Sequence, residues 1–150
     1  MWTGHVSVTM ESSSKPKVEE YMTEDVVTVS PGDTVGDVID KMLNDEGHSG
    51  FPVVDDTDRG NGKIEGFVTA RRLLGRDELE RIEDVMATNL VVAEPEMKVN
   101  DAARVILRSG IQKLPVVDDD GVLVGIISNS DVIRSQIERA TPSKVWKLMR

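Results

Sequence analysis

The stretch GIISNSDVIR, Gly125 to Arg134, ends an apolar run on Ser128, sets Ser130 beside it and places a carboxylate at Asp131, where a helical pattern resumes. A hydroxyl and a carboxylate three residues apart at a helix start have two uses. They can cap the helix, each side chain bonding to the other's backbone N–H. Alternatively, the carboxylate can accept hydrogen bonds from a bound molecule, and these are strengthened by its charge. The residue types alone leave both uses open. Lys113, Arg71, Arg72 and Arg134 add cations to the same sequence neighbourhoods, and the N-terminus of the following helix favours an anion. Catalysis has little to work with. The chain has no cysteine, its two histidines are His5 and His48, and it shows neither a phosphate-cradling glycine loop nor metal-ligand spacing. Asp55, Asp56, Asp118, Asp119 and Asp120 fall in expected hairpin turns, where a solvated Asp is ordinary. No catalytic residue and no metal site is expected.

The elements that must position Ser128 and Asp131 occur twice. Tyr21 to Leu43 lies over Val85 to Leu107, matching Met22 with Met86, Pro31 with Pro95, Val35 with Val99 and Asp37 with Asp101. GHSGFPVVDD from Gly47 then matches GIQKLPVVDD from Gly110. GKIEGFVTARRLLG matches GVLVGIISNSDVIR, so that Gly66 lies over Gly125, Thr69 over Ser128 and Arg72 over Asp131. A unit of about 60 residues is too small to bury a generous core alone, which predicts two copies that depend on each other.

Each copy opens with a short apolar run, Val26 to Val29 or Leu90 to Ala93, soon followed by a proline. Helical spacing follows at Val35, Val38, Ile39, Met42 and Leu43, and again at Val99, Ala102, Ala103, Ile106 and Leu107. Gly47 and Gly110 stand where helix-ending glycines belong. FPVV and LPVV read as strands, the Asp- and Gly-rich stretches after them as hairpin turns, and IEGFVT and LVGIIS as returning strands that lead into a second helix. The order is β-α-β-β-α in each copy, an α+β class.

The chain has 150 residues and a formal net charge of −9, a field that repels polyanions, so no nucleic-acid partner is expected. No window approaches the roughly 20 apolar residues of a membrane span, and no signal-peptide pattern opens the chain. Absent cysteine is compatible with a reducing compartment, and a cytoplasmic location is the expectation. The chain divides into a tail (1–15), a first repeat (16–78), a second repeat (79–140) and a basic apolar segment (141–150). Val145, Trp146, Leu148 and Met149 in that last segment suit docking on the domain or on another subunit.

With FPVVDD…GKIEGFVT and LPVVDDDGVLVGIIS in tandem, the chain resembles the CBS-domain family, and the pair resembles a Bateman module. The resemblance covers about Val18 to Arg139. It implies two repeats packed through their sheets about a pseudo-two-fold axis, clefts that take AMP, ADP, ATP or S-adenosylmethionine, a regulated partner protein and pairing into a homodimer. In the family pattern Gly-apolar-apolar-Ser/Thr-x-x-Asp, the acid takes the ribose hydroxyls, which assigns that role to Asp131, with Ser128 beside it and Ser130 a weaker phosphate contact. Lys113 matches a position near phosphate, and Leu114, Pro115, Val116, Val91 and Val92 are expected as walls for adenine. Pro115 has no N–H and suits a strand edge beside a cleft.

The first repeat departs from this pattern. Arg72 replaces the acid, and a guanidinium cannot accept from a hydroxyl. Gly50 replaces the lysine. Thr28, His48, Phe51, Pro52, Thr69 and Arg72 therefore outline a degenerate first site, in which Arg72 either reaches a phosphate or stays solvated. The expected function is a regulatory adenosine-ligand module with its competent cleft at the second repeat and no catalytic cofactor. The alternative is a ligand-independent dimerisation scaffold with vestigial clefts.

Overall fold

The computed structural model of the chain describes residues 15–44, 49–55 and 62–140. His48, the Gly47 helix stop, residues 1–14, the first hairpin turn and the 141–150 segment lie outside the described residues.

The elements are α1 (Val18–Tyr21), α2 (Val35–Asn44), β1 (Gly50–Val54), β2 (Ile64–Thr69), α3 (Ala70–Leu73), α4 (Ile82–Val85), α5 (Val99–Ser109), β3 (Lys113–Val117), β4 (Leu123–Ser128) and α6 (Asn129–Ala140). α2 begins where the Thr34 hydroxyl accepts from the Asp37 N–H at 3.2 Å. α5 ends at Gly110, whose φ of 69° is left-handed backbone that costs glycine little. Each hairpin is an antiparallel pair, Pro52 opposite Phe67 in β1–β2 and Pro115 opposite Ile126 in β3–β4, with a bulge one step beyond. In the second hairpin turn the Asp118 carboxylate accepts from the N–H groups of Asp120 and Val122.

The expected first strand of each repeat shrinks to a single bridge. Val29 pairs with Val53 and Ala93 with Val116, both parallel. Val29 donates to the Pro52 carbonyl at 3.0 Å and accepts from Val54 at 2.9 Å, and Ala93 makes the same two bonds with Pro115 and Val117. The next bond of such a ladder would run from residue 52 or 115 to the carbonyl two residues earlier in the lead-in, and a proline has no N–H to give. The pairing stops there, and Val27 and Val91 leave the sheet. Pro115 is thus not on a bare edge: β4 flanks it on one side and the Ala93 bridge on the other.

Two apolar cores form, and the lead-in helices are exchanged between them. Val18 of α1 packs with Val99, Ala102, Ile106, Leu114, Val116 and Ile127 of the second repeat. Ile82 and Val85 of α4 pack with Val35, Val38, Phe51, Val53, Val68 and Leu73 of the first. After each short helix the chain pairs with the other repeat's returning strand, Thr23 with Ile126 and Ala87 with Phe67, both antiparallel. The recurring Met and Gly landmarks meet at these crossings, where Met22 lies over Gly125 and Met86 over Gly66 with no room for a Cβ. A further antiparallel bridge, Lys63 to Val122, joins the hairpins near their turns.

Candidate functional site

Asp131 sits at the first turn of α6, 7% exposed. Its Oδ2 accepts from the Ser128 N–H at 2.9 Å and from the Ser128 hydroxyl at 3.1 Å, while the Asp131 N–H approaches Ser128 Oγ at 3.4 Å. This is the reciprocal cap, closed with Asp in place of the usual Glu or Gln. The second carboxylate oxygen, Oδ1, is 3.4 Å from Arg134 Nη2. Capping commits Oδ2 of Asp131 and Arg134 faces Oδ1, while Asp131 and Ser128 both line a cavity.

That cavity, about 140 Å³, is closed on its far side by the first repeat: Val26 and Val27 of the lead-in and Pro52 of β1 face Ile126, Ser128 and Asp131. Asp25 adds a second carboxylate to its rim, and Lys113 and Gly50 complete it. A larger cavity of about 480 Å³ has the mirrored construction. Leu90, Val91 and Pro115 come from the second repeat, and Phe67, Thr69 and Arg72 from the first. Arg71, Asn89 and Gln112 add polar groups, no carboxylate lines it among the described residues, and Lys113 and Gly50 recur.

The two cavities group the expected site residues differently from the repeats. Val91 and Pro115 line the cavity of Arg72 and Thr69, whereas Pro52 lines the cavity of Asp131. The cause is the exchange of lead-in segments, which carries residues 23–27 to β4 and residues 87–91 to β2. Leu114, Val116 and Phe51 line neither cavity, because the strands turn those side chains into the apolar cores, where each is fully buried. Val92 and Thr28 line neither cavity; the Thr28 carbonyl accepts from Lys41 Nζ at 2.9 Å. Ser130 is exposed and also lines neither. The first cavity is not the lesser one in volume. Sequence reasoning missed Thr23, Asp25, Val26, Val27 and Ile126 at the smaller cavity, and the signal for them was the recurring Met that precedes each crossing.

Arg72 is not simply solvated. Its Nη1 donates to the Val85 carbonyl at 3.1 Å, and its N–H is capped by Thr69. Behind Asp131, Arg134 donates to the Tyr21 carbonyl at 3.0 Å and stacks 5.5 Å from the Tyr21 ring, and the Tyr21 hydroxyl donates to Glu138 at 3.1 Å. Partial burial, the hydrogen bond to Glu138 and the negative charges of Glu138 and Glu20 push the Tyr21 hydroxyl above its usual value, against a smaller opposing effect of Arg134. Among the described residues no group of three His, Cys, Asp or Glu side chains could hold a metal ion, and no helix is long and apolar enough to cross a membrane.

Paired β-hairpins, exchanged lead-in helices and two mirrored cavities define a duplicated α+β architecture. The chain belongs to the CBS domain family, whose model matches it twice, at residues 18–78 and 82–138, making it a tandem CBS pair. It is 48% identical over 136 residues to an uncharacterized protein of Methanocaldococcus jannaschii, covering 89% of this chain and 49% of that protein. It is 34% identical over 135 residues to the inosine-5'-monophosphate dehydrogenase of the same organism, covering 89% of this chain and 26% of the enzyme. The chain thus spans half or less of the length of either relative. Among solved structures it is similar to CBSX2 in complex with AMP, with a TM-score of 0.73 and 27% identity over 83% of this chain and 98% of that one. It is also similar to the cytosolic domain of the Mg2+ channel MgtE in complex with ATP, with a TM-score of 0.70 and 28% identity over 79% of this chain and 48% of that one.

Proposed function

We propose that this chain is a cytoplasmic regulatory module, without catalysis of its own, that binds an adenosine ligand (AMP, ADP, ATP or S-adenosylmethionine) and passes its occupancy to a partner protein. One observation carries the reading. A single lysine, Lys113, lines both a cavity bearing the carboxylates Asp25 and Asp131 and a cavity bearing the guanidinium groups Arg71 and Arg72. Such polarity suits a ligand with a neutral diol at one end and an anion at the other. The ribose hydroxyls donate to the uncapped oxygen of Asp131, and the anionic end passes Lys113 toward the arginines.

Val27 supports the base. Its N–H and C=O have no hydrogen-bond partner among the described residues, the C=O because Pro52 has no N–H to give, and Val27 lines the cavity with Pro52 and Ile126, where an adenine edge finds a donor and an acceptor. The complexes of CBSX2 with AMP and of MgtE with ATP show that similar folds accept such ligands.

A thermal-shift panel with AMP, ADP, ATP and S-adenosylmethionine on the wild type, Asp131→Ala and Ser128→Ala tests the assignment. Hydrogen bonds to a charged group contribute about 1.5–3 kcal/mol each, so Asp131→Ala loses most of the ligand shift. Ser128→Ala weakens the same cap but keeps the carboxylate, and retains the shift. An Asp131→Ala protein that responds like the wild type would remove the ribose assignment. A wild type indifferent to every ligand would leave the scaffold reading in its place.

A further inference from the structure

Arg134 lines neither cavity, yet a single nitrogen of its side chain reaches the carboxylate on one wall of the smaller cavity and the helix that leads into the other. Its Nη2 lies 3.4 Å from Asp131 Oδ1 and donates to the Tyr21 carbonyl at 3.0 Å. Two residues after Tyr21 the chain enters the opposite wall, at Thr23, Asp25, Val26 and Val27. Glu138 holds the guanidinium from behind: its Oε2 is 3.8 Å from Arg134 Nε, and its Oε1 accepts from the Tyr21 hydroxyl at 3.1 Å. Ion pairs this exposed contribute little singly, and together they fix the orientation of the group. The first repeat has no such link, because Gly75 stands at the position of Arg134.

We propose that Arg134 is a positioning residue that couples the charge of Asp131 to the docking of α1. With the carboxylate in place, Nη2 is held on the Tyr21 carbonyl, and α1 stays seated through the bonds that Val18 and Glu19 donate to Met97 and Pro95 and that Thr23 donates to Ile126. Without the charge, the guanidinium turns to solvent and the seat loosens. Coupling of this kind is reciprocal, so a molecule that binds Asp131 and the lead-in together tightens α1, and a loosened α1 weakens its binding. That consequence rests on the adenosine reading; the coupling itself does not.

A double-variant cycle without ligand tests the coupling, read by hydrogen exchange at the amides of Val18, Glu19 and Thr23. Asp131→Asn keeps an oxygen for the Ser128 cap and loses the charge. Asp131→Asn and Arg134→Gln are each expected to speed exchange at these amides several-fold, and the double variant to exchange no faster than Arg134→Gln alone, with the amides of α4 unchanged. An arginine that only props α1 would give effects that multiply. A second arm uses AMP as the probe in titration calorimetry, where Arg134→Gln is expected to bind it several-fold more weakly than the wild type. Multiplied effects in the cycle, unchanged exchange in Asp131→Asn, or equal AMP affinity in the wild type and Arg134→Gln would each overturn the proposal. A wild type that does not bind AMP removes the adenosine reading instead, and the ligand-free cycle then decides the coupling alone.

Discussion

Arg72 donates to the Val85 carbonyl at 3.1 Å, just as Arg134 donates at 3.0 Å to the carbonyl of Tyr21, the residue that Val85 matches in the repeat. The two arginines do not match each other. Arg72 stands where the second repeat has Asp131, and the counterpart of Arg134 is Gly75, which has no side chain to offer. The end of each lead-in helix is therefore clamped by a guanidinium, and in the first repeat the clamp comes from the position that would otherwise hold a carboxylate. At the first cavity, the position that matches Asp131 thus serves as a clamp.

Arg72→Gln accordingly weakens the docking of α4. A hydrogen bond involving a charged group contributes about 1.5–3 kcal/mol, and because Arg72 is itself exposed, urea denaturation is expected to show a loss at the lower end of that range with an unchanged slope. Hydrogen exchange localises the effect. Amides of residues 82–87 exchange faster in the variant and those of α1 do not; equal exchange in both segments would contradict the clamp.

Gly125 tests the crossing of the chain between repeats. A Cβ there would lie 2.9 Å from Met22 Cγ and 3.0 Å from the Thr23 carbonyl oxygen. The methionine can swing away, but the carbonyl is held by its bond from Ile126. Gly125→Ala is expected to cost about 1–3 kcal/mol, the usual penalty for overpacking, and pairing it with Met22→Ala recovers little of that loss. Full recovery in the double variant would mean that the thioether alone fills the space.

The repeat, helices α2 and α5 and both hairpins are legible in the sequence because period and turn chemistry act locally: Val99, Ala102 and Ile106 mark a buried stripe, and Gly110 ends it. The Ser128–Asp131 pair is legible as a choice, and the structure closes the cap with both residues lining a cavity. What the sequence does not display is the exchange. α1 and α4 have four residues each, too few for a period, and their bridges to Ile126 and Phe67 involve one residue apiece. Val91 and Pro52 consequently change cavities without any change in local pattern.

Tyr21 gives the molecule a dependence on alkaline pH. Its pKa is raised in the folded state, so the folded chain holds the phenolic proton more tightly than the unfolded chain does. The resulting stability is fully present below the ordinary value of 10.0 and is lost as pH rises through the higher folded-state value, where phenolate would face Glu138 and Glu20. Comparing the wild type with Tyr21→Phe by chemical denaturation from pH 8 to 11 isolates this contribution. The difference between them is expected to be constant up to about pH 9 and to move in favour of Phe above it. A difference that stays flat throughout would mean that the hydroxyl has the same environment folded and unfolded.

The exchanged helices also decide whether half the chain can fold. A fragment of residues 16–78 keeps Phe51, Val53 and Val68 but lacks Ile82 and Val85, which close their core, and it carries Val18 with no core to enter. Full burial of a side chain of this size is worth about 1.5–3 kcal/mol, so losing two exceeds what a unit of such length holds in reserve. The fragment is expected to lack a cooperative thermal transition. Extending it to residue 88 supplies the missing pair and restores the transition at least in part. Adding the separately made 79–140 fragment to 16–78 should also restore it, because each half then receives its helix from the other. Circular dichroism on the three samples decides the matter: a cooperative transition in 16–78 alone would show that the first core closes without α4.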